Sequence, residues 1–273
     1  MKALINGISL AYGDVGKGSA VVLIHGFPLC RGMWKSQEEA VSAAGFRLIT
    51  PDLRGFGESD APEGPYSMSL FADDIVALLD YLGIEKAVIG GMSMGGYVLL
   101  NILERYPERA SAACFIATRS SADDEAVKEV RLALLERTKL FGVPTVAEMF
   151  SSRVFSGEAA EKRDLHRNMY RWMSCADMAG VEGTLHALMD RKDYTPLLGR
   201  FALPSLVIGA DQDGAVPAEA LRTLAEGLPD SELCIIRGAG HMVNVEQPSA
   251  FNECLLRFLR RVTGVSTTIS HPR

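Results

Sequence analysis

The stretch 86-KAVIGGMSMGGYVLL-100 decides how this chain folds. Lys86 to Gly90 is a short apolar, β-branched run of the kind that forms a strand, and a segment of helical period follows from Tyr97 to Tyr106. Between them Gly91, Ser93 and Gly95 form a G-x-S-x-G pattern in a strand-turn-helix setting. A residue on so sharp a turn has strained backbone angles, and side chains at Gly91 and Gly95 would collide with the neighbouring strand and helix. Ser93 is thereby expected to project its hydroxyl above the sheet edge, beside a helix N-terminus that favours developing negative charge.

The pattern extends in both directions. Ala20 to His25, Phe46 to Thr50, Ala112 to Ala117, Leu206 to Gly209 and Leu233 to Arg237 are further short apolar runs without clear alternation, as expected of strands buried on both faces of a parallel sheet. Ala3 to Tyr12, followed by GDVGKG, suggests an antiparallel hairpin entering that sheet. Helical periods fall at Leu70 to Leu82, with Ser69 as a plausible N-cap, and at Pro217 to Leu228. Alternating strands and helices predict an α/β class: a doubly wound, mostly parallel sheet of about eight strands. The alternation stops over 119–200, where helical runs occur at Ala122 to Leu140, Thr145 to Phe150, Glu158 to Ser174 and Val181 to Asp190. The expected organisation is a core of 1–118 and 201–264, a helical cap of 119–200 and a polar tail of 265–273.

A length of 273 residues with 48% hydrophobic and 23% charged residues describes a globular chain able to bury a sizeable core. The net charge of -6 argues against nucleic acid, whose phosphates call for clustered Lys and Arg. No apolar run reaches the ~18 to 20 residues that span a bilayer, and Lys2 and Asn6 interrupt the start where a signal peptide needs an apolar region. A cytoplasmic protein beginning near Met1 and without membrane partners is the expectation. The cysteines, Cys30, Cys114, Cys175, Cys234 and Cys254, are odd in number and scattered, with no C-x-x-C pair. They read as reduced, mostly buried thiols, and no metal site or organic cofactor is expected.

A serine hydroxyl is a poor nucleophile until a base removes its proton. His241, in Gly238-Ala239-Gly240-His241-Met242 just after the last apolar run, is placed to reach the same sheet edge. His166 and His186 fall on helical cap segments, and His271 falls in the tail. The imidazole needs an acceptor on its second nitrogen, and both Asp211 and Asp213 follow the strand at Leu206 to Gly209. An oxyanion needs two backbone N–H groups; Phe27, after the strand at Ala20 to His25, and Met94, after the nucleophile, can supply them. His25 reads as a structural residue pinning the 25-HGFP-28 turn, and Cys30 as a candidate lining residue without catalytic role.

Together HGFPLCRGMW, DLRGFGESD, GGMSMGGYV and GAGHMVNVEQP resemble the α/β-hydrolase superfamily over about residues 18 to 262. In that family the acid commonly stands four residues before a proline that opens the next helix. This implies Asp213, before Pro217, and leaves Asp211 as a turn acid. Asp52, Arg54, Gly55 and Gly57 match a family motif that shapes a loop near the nucleophile, which implies a structural role. Haloalkane dehalogenases and epoxide hydrolases carry an aspartate at the nucleophile position, so Ser93 disfavours both. Carbon-carbon bond hydrolases typically have a tryptophan just after the histidine and an asparagine before the nucleophile, where this chain has Met242 and Met92.

The residues are most similar to the group that includes 3-oxoadipate enol-lactonases and related carboxylesterases. The resemblance implies a serine hydrolase acting through an acyl-enzyme on a small, largely apolar ester or lactone. A carbon-carbon bond hydrolase or thioesterase on the same triad is the alternative, followed by a non-catalytic ligand receptor. Arg119, Trp172 and Met242 are candidate substrate contacts. Arg119 could serve an anionic substrate or simply pair with Asp123, Asp124 or Glu125. Oligomeric state is open in the sequence.

Overall fold

A computed structural model describes residues 1–151, 154–156 and 163–265 of the chain. All but residue 265 of the tail expected at 265–273, His271 included, and residues 158–162 of the helix expected at Glu158 to Ser174 lie outside the described residues. The strands are β1 (Lys2–Ile5), β2 (Ile8–Gly16), β3 (Ala20–Ile24), β4 (Arg47–Pro51), β5 (Ala87–Met92), β6 (Ala110–Ile116), β7 (Ser205–Ala210) and β8 (Ser231–Ile236). They form one sheet in the order β1-β2-β4-β3-β5-β6-β7-β8, antiparallel at β1/β2 and β2/β4 and parallel from β4 onward.

The hairpin turns at Asn6-Gly7, both at positive φ, and the residues Gly13 to Gly16 expected to follow it belong to β2. An Asn-Gly pair suits a two-residue hairpin turn, because both its residues tolerate the left-handed region. β8 departs from the expectation of burial on both faces: it is the sheet edge, with Leu233 and Ile235 exposed.

Successive side chains of a strand point to opposite faces, so each central strand feeds two cores. Val22 and Ile24 of β3 pack on one side with α2 (Met68–Tyr81), α3 (Met94–Arg105) and α8 (Ala218–Gly227). Val21 and Leu23 pack on the other with α1 (Lys35–Ala43) and α10 (Pro248–Thr263). The N-cap of α2 is Ser67 rather than Ser69; the Ser67 side chain accepts from Leu70 N–H, and the two hydroxyls bond each other at 2.8 Å.

Between β6 and β7 the chain forms α4 (Glu125–Phe141), α5 (Pro144–Ser151), α6 (Arg163–Ser174) and α7 (Met178–Met189), with no strand among its described residues. α7 meets the core at two glycines. A Cβ on Gly180 would lie 2.2 Å from the Gly55 carbonyl oxygen, and Asp177 N–H donates to that oxygen at 3.1 Å. No helix among the described residues is long and apolar enough to cross a membrane.

Candidate active site

β5 ends at Met92 and α3 begins at Met94, so Ser93 alone makes the turn, at φ 51° and ψ -112°. Such a conformation in a residue with a Cβ costs on the order of 1–3 kcal/mol and persists only where its surroundings impose it. Here Ser93 N–H donates to Ile116 O at 2.8 Å, while Thr118 Oγ1 and Gly96 N–H donate to Ser93 O at 2.7 and 2.9 Å. The flanking glycines are required by space. A Cβ on Gly91 would sit 2.1 Å from Gly95 O, and one on Gly95 would sit 2.4 Å from Ile24 O of β3.

The loop after β7 carries both candidate acids, and their partners differ. Asp213 Oδ2 lies 2.8 Å from His241 Nδ1, and its Oδ1 accepts from Ala215 and Val216 N–H at 2.7 and 2.9 Å. Burial alone would raise the Asp213 pKa, but His241 and the two amides outweigh it and hold the carboxyl below its ordinary value. A carboxylate acceptor places the imidazole proton on Nδ1, which leaves the Nε2 lone pair available as a base. Asp211 instead accepts from Gly238 N–H at 2.8 Å and braces the histidine loop from outside.

Glu246, on the short helix α9 (Val243–Glu246), holds the same loop from beneath. Its buried carboxylate accepts from Gly240 N–H at 2.9 Å and from Ser156 N–H at 3.0 Å. Met242 N–H donates to Val154 O at 3.2 Å. The catalytic-loop candidate is therefore laced to a segment of the helical insertion.

Ser93 and His241 line one cavity of ≈ 120 Å³. No hydrogen bond joins their side chains among the described residues, as is common where no substrate tightens the geometry. The core contributes Phe27, Met94 and Tyr97, the acid loop Ala215 and Val216, and the β6 exit Arg119. The insertion contributes Arg131, Phe150 and Leu188. Met94 opens α3, where a backbone N–H has no intrahelical acceptor. The Phe27 loop comes close enough that a Cβ on Gly26 would lie 3.2 Å from Ser93 Cβ.

His25 is fully buried and pins that loop. Leu53 N–H donates to its Nε2 at 2.9 Å, so its proton sits on Nδ1 and is given to Gly26 O, also 2.9 Å away. Burial pushes its pKa down, keeping it neutral. Asp52 accepts from Arg31 and from Glu58 N–H, and Arg54 forms a buried ion pair with Asp74 at 2.6 Å. These contacts are architectural.

Several expected placements need correction. Trp172 lies outside the cavity, against Gly32, where its Nε1 would be 2.7 Å from an added Cβ. Met242 is fully buried in the core beneath the histidine loop, because its neighbour His241 takes the outward position. Cys30 faces a separate surface pocket with Arg31, Asp52 and Cys175, and burial pushes its thiol up to about 12. Cys234 and Cys254 are joined in a disulfide, since α10 crosses behind β8 and brings together residues 20 apart in sequence. Arg119 does reach the cavity, and none of the three nearby acids pairs with it. Sequence reasoning missed Arg131, Tyr97 and Glu246. Tyr97 and Glu246 left a trace, the first inside the GGMSMGGYV run and the second inside the GAGHMVNVEQP run that also holds His241.

The sheet order and the serine on its positive-φ turn define a class, and the sequence profile of the alpha/beta hydrolase fold matches residues 19–248. The chain belongs to that family. Among solved structures it is similar to a thermophilic esterase from Thermogutta terrifontis determined with malate bound, at TM-score 0.91 and 34% identity over 96% of this chain and 98% of that one. Among known proteins it is similar to a non-heme chloroperoxidase of Kitasatospora aureofaciens, 28% identical over 94% of this chain and 98% of the relative. It is likewise similar to the 3-oxoadipate enol-lactonase 2 of Acinetobacter baylyi, 28% identical over 93% and 94% of the two chains.

Proposed function

We propose that this α/β-hydrolase cleaves a small carboxylic ester or lactone through an acyl-enzyme. The observation that carries the proposal is the 2.8 Å bond between His241 Nδ1 and Asp213 Oδ2 at a cavity that also holds Ser93 on its strained turn. Ser93 Oγ attacks the substrate carbonyl carbon while His241 Nε2 takes its proton, and the negative oxygen is received by the Phe27 and Met94 N–H groups. The leaving alkoxide takes the proton from His241 as the ester bond breaks. Water, deprotonated by the same nitrogen, then attacks the acyl carbon, and as the acyl–Oγ bond breaks His241 returns that proton to Ser93 Oγ, releasing the acid. In this reading 119–200 is a cap over a core of 1–118 and 201–264. The small cavity, walled partly by Phe27, Phe150 and Leu188, suits a compact substrate with an apolar portion. The esterase and enol-lactonase relatives support the ester chemistry at the level of reaction type.

The test is turnover of p-nitrophenyl acetate together with fluorophosphonate labelling. Wild-type protein should do both, and Ser93→Ala should do neither. His241→Ala should lose turnover by a factor on the order of 10³ or more. A wild-type protein that accepts no label and hydrolyses no ester, lactone or thioester would be a receptor on a hydrolase fold, and the proposal would fail. Turnover confined to thioesters or to carbon-carbon bonds would keep the triad and replace the substrate.

A further inference from the structure

We infer that Cys30 of the core and Cys175 of the insertion form a dithiol site that a peroxide converts to a disulfide, tying the α6–α7 turn to the loop that carries Phe27. This goes beyond the hydrolase reading and does not depend on it.

The two cysteines are far apart in the chain and meet at one surface pocket of ≈ 220 Å³, where Arg31, Asp52 and Glu58 are their neighbours. Cys30 directly precedes the short helix at Arg31–Trp34. Cys175 is exposed in the turn between α6 and α7. Both flanks of this contact are held. Trp172 of α6 packs on Gly32, just past Cys30, so closely that a Cβ added there would lie 2.7 Å from its Nε1. Just past Cys175, Asp177 N–H donates to Gly55 O at 3.1 Å. The Cys30 sulfur accepts from Gly32 N–H, and the Cys175 sulfur is near enough to act on it electrostatically.

The ionic groups of the pocket satisfy one another, since Arg31 pairs with Asp52 and, at 3.0 Å, with Glu58. The two thiols are the groups left for chemistry. No other cysteine competes for them: Cys114 is fully buried, and Cys234 is bonded to Cys254. Burial and the Asp52 carboxylate push the Cys30 thiol up to about 12 and keep it protonated, whereas the exposure of Cys175 opens it to an oxidant. The Cys175 sulfur therefore attacks hydrogen peroxide first. The O–O bond breaks, Cys175 becomes a sulfenic acid, and the second oxygen leaves as water with the thiol proton. The Cys30 sulfur then displaces the hydroxyl from Cys175, and its own proton departs with that hydroxyl as a second water. Two thiols are oxidised and one peroxide is reduced to two waters. The bond needs a Cα separation of about 4.4–6.8 Å, and Cys175 sits in a turn that has room to adjust to it.

The experiment treats the full chain with hydrogen peroxide, digests it with trypsin in the absence of reductant and measures peptide masses. Trypsin releases Cys30 in 18–31 and Cys175 in 172–191, each peptide with a single cysteine. Wild type should give these two peptides joined, and dithiothreitol should separate them. Dimedone added with the peroxide should trap a sulfenic acid on Cys175 and not on Cys30, and should suppress the joined pair. In Cys30→Ser the oxidation should stop at Cys175, and in Cys175→Ser Cys30 should stay reduced. Oxidation should raise the Tm of wild type by about 4 °C or more and leave that of both variants unchanged, with Cys234–Cys254 common to all three. Peroxide that carries wild-type Cys175 to a sulfinic acid, or joins two chains through it, as fully as in Cys30→Ser overturns the inference. So does a joined pair that leaves the Tm of wild type unmoved, because the bond would then not tie the insertion to the core. Peptide masses and melting are read without any ester, so failure of the hydrolase reading leaves this result standing, and the reverse holds as well.

Discussion

Asp211 and Asp213 stand two residues apart after β7 and differ in what they can do for an imidazole. Asp213 offers one oxygen to His241 and has the other saturated by two backbone amides, so it is fixed as an anion. Among the described residues, the Asp211 carboxylate accepts from the amide of Gly238 alone. Asp213→Asn should lower kcat by a factor on the order of 10⁴, through loss of the required tautomer, whereas Asp211→Asn should cost less than about tenfold. Steady-state kinetics on one ester, with circular dichroism and a urea midpoint as the check on folding, measures both. The acid also carries a pH signature. Its folded-state pKa is depressed, so its stabilising contribution is complete above the unfolded value of about 4 and is lost as pH falls through the folded value. Urea midpoints between pH 7 and 3 should therefore fall less steeply below pH ~4 for Asp213→Asn than for wild type.

At the scale of elements, the site depends on loops that other elements hold in place. The turn at Ser93 is clamped because α3 packs too closely on β3 to admit any side chain at Gly95. The histidine loop is clamped at Gly240, where a Cβ would lie 2.6 Å from Ser156 N, and is further held by Glu246, which bonds one amide of that loop and one of the insertion. Glu246→Gln keeps the shape but replaces one acceptor oxygen with an NH₂ group that faces a backbone N–H. The variant should lose about 1–3 kcal/mol of stability and about tenfold or more in kcat, with KM changing less. A denaturation curve and a kcat-against-KM comparison test this. An equal loss in Glu246→Gln and in a remote variant of matched stability would show that the effect is only structural.

Across the whole molecule, the insertion is seated on the core where Gly180 of α7 meets Gly55, with no room for a methyl group between them. Gly180→Ala should push α7 outward and cost about 1–3 kcal/mol, lowering Tm by several degrees for a chain of this length. Because Leu188 lines the cavity from the same helix, KM should rise as well. An unchanged melting temperature would mean that α7 can shift without loss.

The sequence by itself determined the sheet class, the placing of Ser93 and His241 at one sheet edge and the run of helices between β6 and β7. These are local properties: apolar runs of strand length, a glycine-flanked serine between strand and helix, and a histidine just past the last run. It determined the hairpin as well, although the turn lies at the Asn6-Gly7 pair and not beyond Tyr12. Only the tertiary structure decided which residues of the insertion face the cavity. Trp172 turns away from it while Arg131 turns in, because a helical period specifies a face without saying what that face meets. The same holds for the union of Cys234 with Cys254 and for the engagement of Asp123 with two arginines. Such pairings depend on how separate elements pack against one another, so no periodicity within one element encodes them.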